Sequence, residues 1–74
     1  MQSATPDVTI LTDLVRMQMP YGRYQGCVLA RLPEPYLAWM EQNNAYPKGR
    51  MGMLLKTLYE IKLNGLEYLL KDIR

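Results

Sequence analysis

The sequence predicts a small α+β fold, mainly helical, in which one short β-hairpin joins three to four helices in a single domain. Three observations carry this prediction. Apolar residues recur at helical spacing in several separate stretches, the longest being Met51, Leu54, Leu55, Leu58 and Ile61. Between the first two stretches, "RMQMPYGRYQGCVLARL" alternates Met17 and Met19 with Gln18 and is then punctuated by Pro20, Gly22 and Gly26. The chain has 74 residues, 49% of them apolar and 22% charged, which gives an ordered domain with room for one core. A chain this short buries roughly 60% of its unfolded surface, so its stability margin is thin unless it packs well or oligomerises.

Residues 1–4 are small and polar and are expected to be a flexible N-terminus, leaving 5–74 as the globular domain. "TPDVTILTDLV" reads as a short helix, with Thr5 as N-cap, Pro6 at the first helical position and Asp7 in the first turn. Val8, Leu11, Leu14 and Val15 give it one apolar face. The hairpin follows, with residues 17–21 pairing with 25–29 and turning through Gly22, Arg23 and Tyr24. Pro20 has no donor for a ladder, so its strand must be an edge.

"LPEPYLAWMEQNN" reads as a second helix whose first turn holds Glu34 and Pro35, one suited to the dipole and the other by its fixed φ. Tyr36, Trp39 and Met40 share a face, with Leu37 beside them, and the helix stops near Asn43 and Asn44. "AYPKGR" is a loop. The longest helix runs from about Arg50 to Leu63, with Lys56 and Glu60 as an exposed pair four residues apart. Asn64 and Gly65 form a helix-ending signal. Leu66, Leu69, Leu70 and Ile73 then resume helical spacing, either as a second helix or as one helix bent at Gly65. The core is expected at Leu11, Leu14, Leu32, Leu37, Trp39, Met40, Leu54, Leu55, Leu58 and Ile61.

Composition excludes several chemistries. The chain has no histidine and one cysteine, Cys27, so it has no intramolecular disulfide and no Ser-His-Asp or Cys-His pair. A zinc site would have to rely on carboxylates, and no acidic cluster supplies them. Glu34 and Glu41 lie two helical turns apart, about ten Å, without a third ligand. The expectation is a protein that is not an enzyme and needs no cofactor. No stretch approaches membrane-spanning length and the N-terminus lacks a basic leader, so the expected location is cytoplasmic, with no membrane partner.

The net charge is only +2, but it is unevenly placed. Between residues 16 and 56, six cations face only Glu34 and Glu41, a local +4. Two features stand out there. In "MPYGRYQG", Arg23 lies between Tyr21 and Tyr24, an order that suits holding a phosphate and stacking a base. The plainer reading is turn chemistry with the tyrosines edging a small core. In "PKGRMG", Lys48 and Arg50 precede the longest helix, whose free N–H groups suit an anion. The plainer reading there is a solvated basic loop. Six tyrosines and six methionines against no phenylalanine also suit an interface.

"MPYGRYQG", "LPEPYLAWM", "YPKGRMGMLL" and "LYEIKLNGLEYLL", in that order over about residues 17–71, resemble a family of small bacterial proteins of unknown function. Its members show Met-Pro-Phe-Gly-Lys-Tyr-Lys-Gly, then Leu-Pro-Glu-Pro-Tyr-Leu-x-Trp, Phe-Pro-x-Gly and Leu-Tyr-Glu-Ile-Lys-x-Asn-Gly-Leu. Some carry the label "putative quorum-sensing-regulated virulence factor", which states no mechanism. A similar module is appended to some DnaQ-like exonucleases, and that association implies nucleic acid. This chain departs from the pattern at Tyr21, Arg23, Gln25 and Tyr46, where the family has Phe, Lys, Lys and Phe. Arg for Lys keeps a cation and adds a stacking plane, whereas Gln25 removes a charge.

The resulting expectation is a non-catalytic module that binds nucleic acid or another polyanion through Tyr21, Arg23, Tyr24, Lys48 and Arg50. The alternative is a protein-interaction or adaptor domain, a homodimer included.

Overall fold

A computed structural model describes residues 8–71 of the chain. Four α-helices and one 3₁₀ turn follow in order: α1 (Val8–Arg16), the 3₁₀ turn (Leu29–Arg31), α2 (Glu34–Gln42), α3 (Arg50–Leu63) and α4 (Tyr68–Lys71). The expected cap at Thr5, with Pro6 and Asp7, lies outside the described residues, as do the N-terminal segment 1–4 and Ile73.

The fold is helical rather than α+β. Among the described residues there is no strand, and the expected hairpin shrinks to one isolated antiparallel bridge between Gln18 and Val28. The Met19 N–H donates to the Cys27 carbonyl and the Leu29 N–H to the Met17 carbonyl, each at 2.9 Å. The ladder cannot grow in either direction, for local reasons. On the loop side, the next rung needs the Cys27 N–H to reach the Met19 carbonyl, but that donor turns back into the loop and Met19 accepts from the Gly26 N–H at 2.9 Å instead. Gln25 N–H donates to Gly22 at 3.1 Å and Cys27 N–H to Tyr24 at 2.9 Å. On the other side, the chain winds straight from Val28 into the 3₁₀ turn, where Arg31 N–H returns to the Val28 carbonyl at 2.9 Å. The result is a chain reversal without a sheet.

α2 starts behind Pro33, whose extended backbone (φ −71°, ψ 146°) leads into a first turn holding Glu34 and Pro35. It stops at Asn43, whose side-chain amide donates to the Trp39 carbonyl at 2.8 Å. α3 ends in a Schellman motif. Gly65 takes φ +68°, the Leu66 N–H reaches the Ile61 carbonyl at 2.9 Å and the Gly65 N–H reaches Lys62 at 3.4 Å. Residues 50–71 are therefore two helices, not one bent helix. A side chain at Gly65 would have to accept a left-handed backbone.

α3 is the central element, packed against α1, α2 and the 3₁₀ turn, while α1 also meets α4. Nine of the ten expected core residues are buried, joined by Met19, Leu29 and Leu70. No polar or charged residue is buried among those described. The exception among the expected core is Trp39, which is 53% exposed. Helix geometry explains it, because a helical residue turns about 100° and Trp39 follows the buried Leu37 by two. Its ring therefore leaves α2 on nearly the opposite side.

Ion pairs connect the helices at the surface. Arg50, the first residue of α3, donates from Nη2 (2.6 Å) and Nε (3.1 Å) to one carboxylate oxygen of Asp13 on α1. Lys56 does not pair with Glu60 as expected from spacing; it approaches Glu41 of α2 at 3.8 Å. Such exposed pairs are worth about 0–1 kcal/mol each and fix orientation more than stability.

Tyr46, in the loop between α2 and α3, donates its hydroxyl to Glu41 at 2.9 Å. Burial, and then that bond to a carboxylate, push its phenol well above the ordinary value of 10.0. A raised folded-state pKa stabilises the fold fully below pH 10.0, and the contribution is lost as pH rises above that value. Wild type should therefore lose stability more steeply than Tyr46→Phe between neutral and strongly alkaline pH. Urea midpoints at several pH values measure this, and parallel curves would refute it.

Candidate functional site

The reversal at residues 20–27 lays its side chains against the start of α2. The Tyr24 ring sits 4.6 Å from that of Tyr36, tilted by 53°, and Tyr36 lies 6.4 Å from Trp39 with the rings 8° from parallel. The Arg23 guanidinium carbon stands 5.8 Å from the Tyr24 ring centre. Tyr36 and Trp39 are three residues apart and so project as neighbours from one side of α2. Pro33 and Pro35 complete the wall, giving an open groove of about 620 Å³ lined by Arg23, Tyr24, Pro33, Pro35, Tyr36 and Trp39.

The electrostatics are simple. None of the groove's lining residues is acidic, and Arg23 is its one lining cation. Burial pushes the Tyr36 phenol up, and the neighbouring phenols of Tyr21 and Tyr24 push it further. The three hydroxyl-bearing rings therefore share one neighbourhood. Tyr21 and Trp39 are each more than half exposed, so their rings meet solvent. The groove offers flat apolar faces and one planar cation. It suits a planar or apolar ligand carrying negative charge.

The structure thus brings three of the five expected site residues, Tyr21, Arg23 and Tyr24, together with Tyr36 and Trp39. It does not bring Lys48 and Arg50 to this groove. Arg50 is held by Asp13, and Lys48 is exposed on the loop before α3. Glu34 and Glu41 do not converge either, since Glu41 is engaged by Tyr46 and Lys56. Among the described residues no group of His, Cys, Asp and Glu could hold a metal ion. Cys27 is half-buried, its sulfur 3.5 Å from the Val28 carbonyl oxygen. No helix among the described residues is long and apolar enough to cross a membrane.

Tyr36 and Trp39 escape sequence reasoning because ring residues at helical spacing ordinarily mark a core. A helical wheel anchored on Leu37 would have placed Trp39 outside.

Fold and groove together define a small helical domain that displays a ring-and-cation surface. Sequence comparison then gives its family: the chain belongs to the family described as "Putative quorum-sensing-regulated virulence factor", whose model matches residues 7–73. It is similar to "Uncharacterized protein YpeB" of Escherichia coli K12, at 34% identity over 64 residues, 86% of this chain and 89% of that protein. The protein of the same name from Escherichia coli O157:H7 matches equally, at 34% over 64 residues. No solved structure matches.

Proposed function

We propose that the chain is a non-catalytic module that binds single-stranded nucleic acid, with bases stacking on the Tyr36–Trp39 face and Arg23 meeting a phosphate. The observation that carries this reading is the half-exposed Trp39 ring, 8° from parallel with Tyr36, in a groove with no acidic lining residue. A ring left in water at that exposure adds little to the core, while base–aromatic stacking is worth about 1–3 kcal/mol per base. The +4 of residues 16–56 supplies attraction of the right sign.

Trp39 is the chain's single tryptophan, so its own emission reports on the groove. Titration with an oligothymidylate at low salt is expected to quench that emission, and Arg23→Glu is expected to weaken the effect. The salt slope should be shallow, about −0.7 per phosphate contact for a single strand. Unchanged emission at low salt would overturn the reading. Emission that responds to a proline-rich peptide and not to the oligonucleotide would replace it with the adaptor reading, since parallel rings also suit polyproline.

A further inference from the structure

A second open cleft of about 620 Å³ lies where the ends of α1 and α4 meet the 3₁₀ turn. Its floor is apolar, with Val15, Val28 and Leu70. Its rim carries Arg16, Arg31 and Lys71, which are the last residues of α1, the 3₁₀ turn and α4. All three are exposed, and none is in an ion pair with another described residue. The one acidic lining residue, Glu67, is held by Lys62 at 2.9 Å.

A cation at the end of a helical segment meets its free carbonyls favourably, which accounts for each residue singly. It does not account for three of them, from three elements, around one concavity. That convergence is tertiary, since α1 packs against both α4 and the 3₁₀ turn. Three like charges around a hollow repel one another, and an anion in the hollow relieves that repulsion.

One short stretch of chain leads from one cleft to the other. Val28, Ala30 and Arg31 line the basic cleft, and Pro33, two residues on, lines the ring groove. We propose that the basic cleft holds backbone phosphates of the same single strand whose bases stack at Trp39, so that the strand crosses the 28–33 segment. The identity of the ligand rests on the ring-groove reading; the anion site rests on Arg16, Arg31 and Lys71. The molecule measures 33 × 24 × 22 Å, so the footprint belongs at the short end of the roughly 4–16 nucleotides that small single-strand modules cover.

The test compares a thymidine dinucleotide with an oligothymidylate of about eight nucleotides, on wild type and on the triple variant Arg16→Gln, Arg31→Gln and Lys71→Gln. These are exposed positions, and circular dichroism checks that the variant folds. Wild type should gain affinity with length. The triple variant should keep Trp39 quenching by the dinucleotide, lose the gain with length and show a salt slope about 2 units shallower. Arg31→Gln alone should make the slope about 0.7 shallower, which serves if the triple variant does not fold.

An unchanged length gain and slope, with dinucleotide quenching intact, overturns the basic cleft and leaves the ring groove standing. Loss of the longer strand in the triple variant, without Trp39 quenching in wild type, supports the cleft and overturns the ring groove. Absence of binding by either ligand overturns both. Displacement of the oligonucleotide by polyglutamate at equal charge overturns the strand path, because the cleft would then read charge alone.

Discussion

Gly52→Ala is expected to destabilise the protein by about 2 kcal/mol, against the usual sign for this change in a helix interior. Ordinarily alanine gains about 0.5–1 kcal/mol over glycine there, because the unfolded chain loses freedom. Gly52 is buried in the first turns of α3, and a Cβ added to it would land on the Pro47 carbonyl oxygen, with the carbonyl carbon at 3.0 Å. The obstacle is backbone, so no rotamer change removes it. Nor is the loop free to retreat. Ala45 N–H is bonded to the Met40 carbonyl at 2.8 Å, Tyr46 to Glu41 at 2.9 Å, and Gly49 accepts the Met53 N–H at 3.3 Å. Overpacking of this kind costs about 1–3 kcal/mol and occasionally more, which outweighs the propensity gain. At about 4–8 °C per kcal/mol for a domain of this size, Tm should fall by about 10 °C. A thermal melt followed by circular dichroism decides it, and an unchanged or raised Tm would show that the loop is not clamped.

The long-period features were legible in the sequence, and the contacts between elements were not. α3 is readable because one apolar stripe repeats over four turns and Asn64–Gly65 closes it with a recognisable cap. The reversal at Pro20–Gly26 is equally readable as a reversal. Whether it becomes a ladder depends on two things that alternation does not encode: the diversion of the Cys27 N–H to the Tyr24 carbonyl, and the 3₁₀ turn that takes the backbone of residues 28–31 away from pairing. Lys56 shows the same limit. Spacing offers Glu60 as its partner, but tertiary packing brings Glu41 of α2 nearer. At the groove, Tyr21, Arg23 and Tyr24 announce themselves by adjacency. Tyr36 and Trp39 come from another element, and only the direction in which α2 turns Leu37 inward shows that Trp39 faces out.

That direction yields a paired prediction on α2, in which Leu37→Ala and Trp39→Ala separate stability from binding. Leu37 is fully buried, and removing its side chain should cost about 2–5 kcal/mol. At about 0.05–0.15 kcal/mol per residue, that is a large part of what holds a domain this small. Leu37→Ala should therefore melt far below wild type. Trp39 is the larger side chain, yet 53% of it already meets solvent, and its packing loss is chiefly the contact with Tyr36. Its removal should cost about 1 kcal/mol in stability. The effect on a labelled oligothymidylate, followed by anisotropy because the tryptophan signal is gone, should be about 1–3 kcal/mol per stacked base. That corresponds to a loss of roughly fivefold to 150-fold in affinity at constant salt. If Trp39→Ala melts as low as Leu37→Ala, the ring is structural after all and the groove is a consequence of packing. If it melts near wild type and still binds, the bases do not stack there. Only a folded variant with weakened binding is consistent with a large aromatic ring held at the surface, parallel to its neighbour, for a ligand.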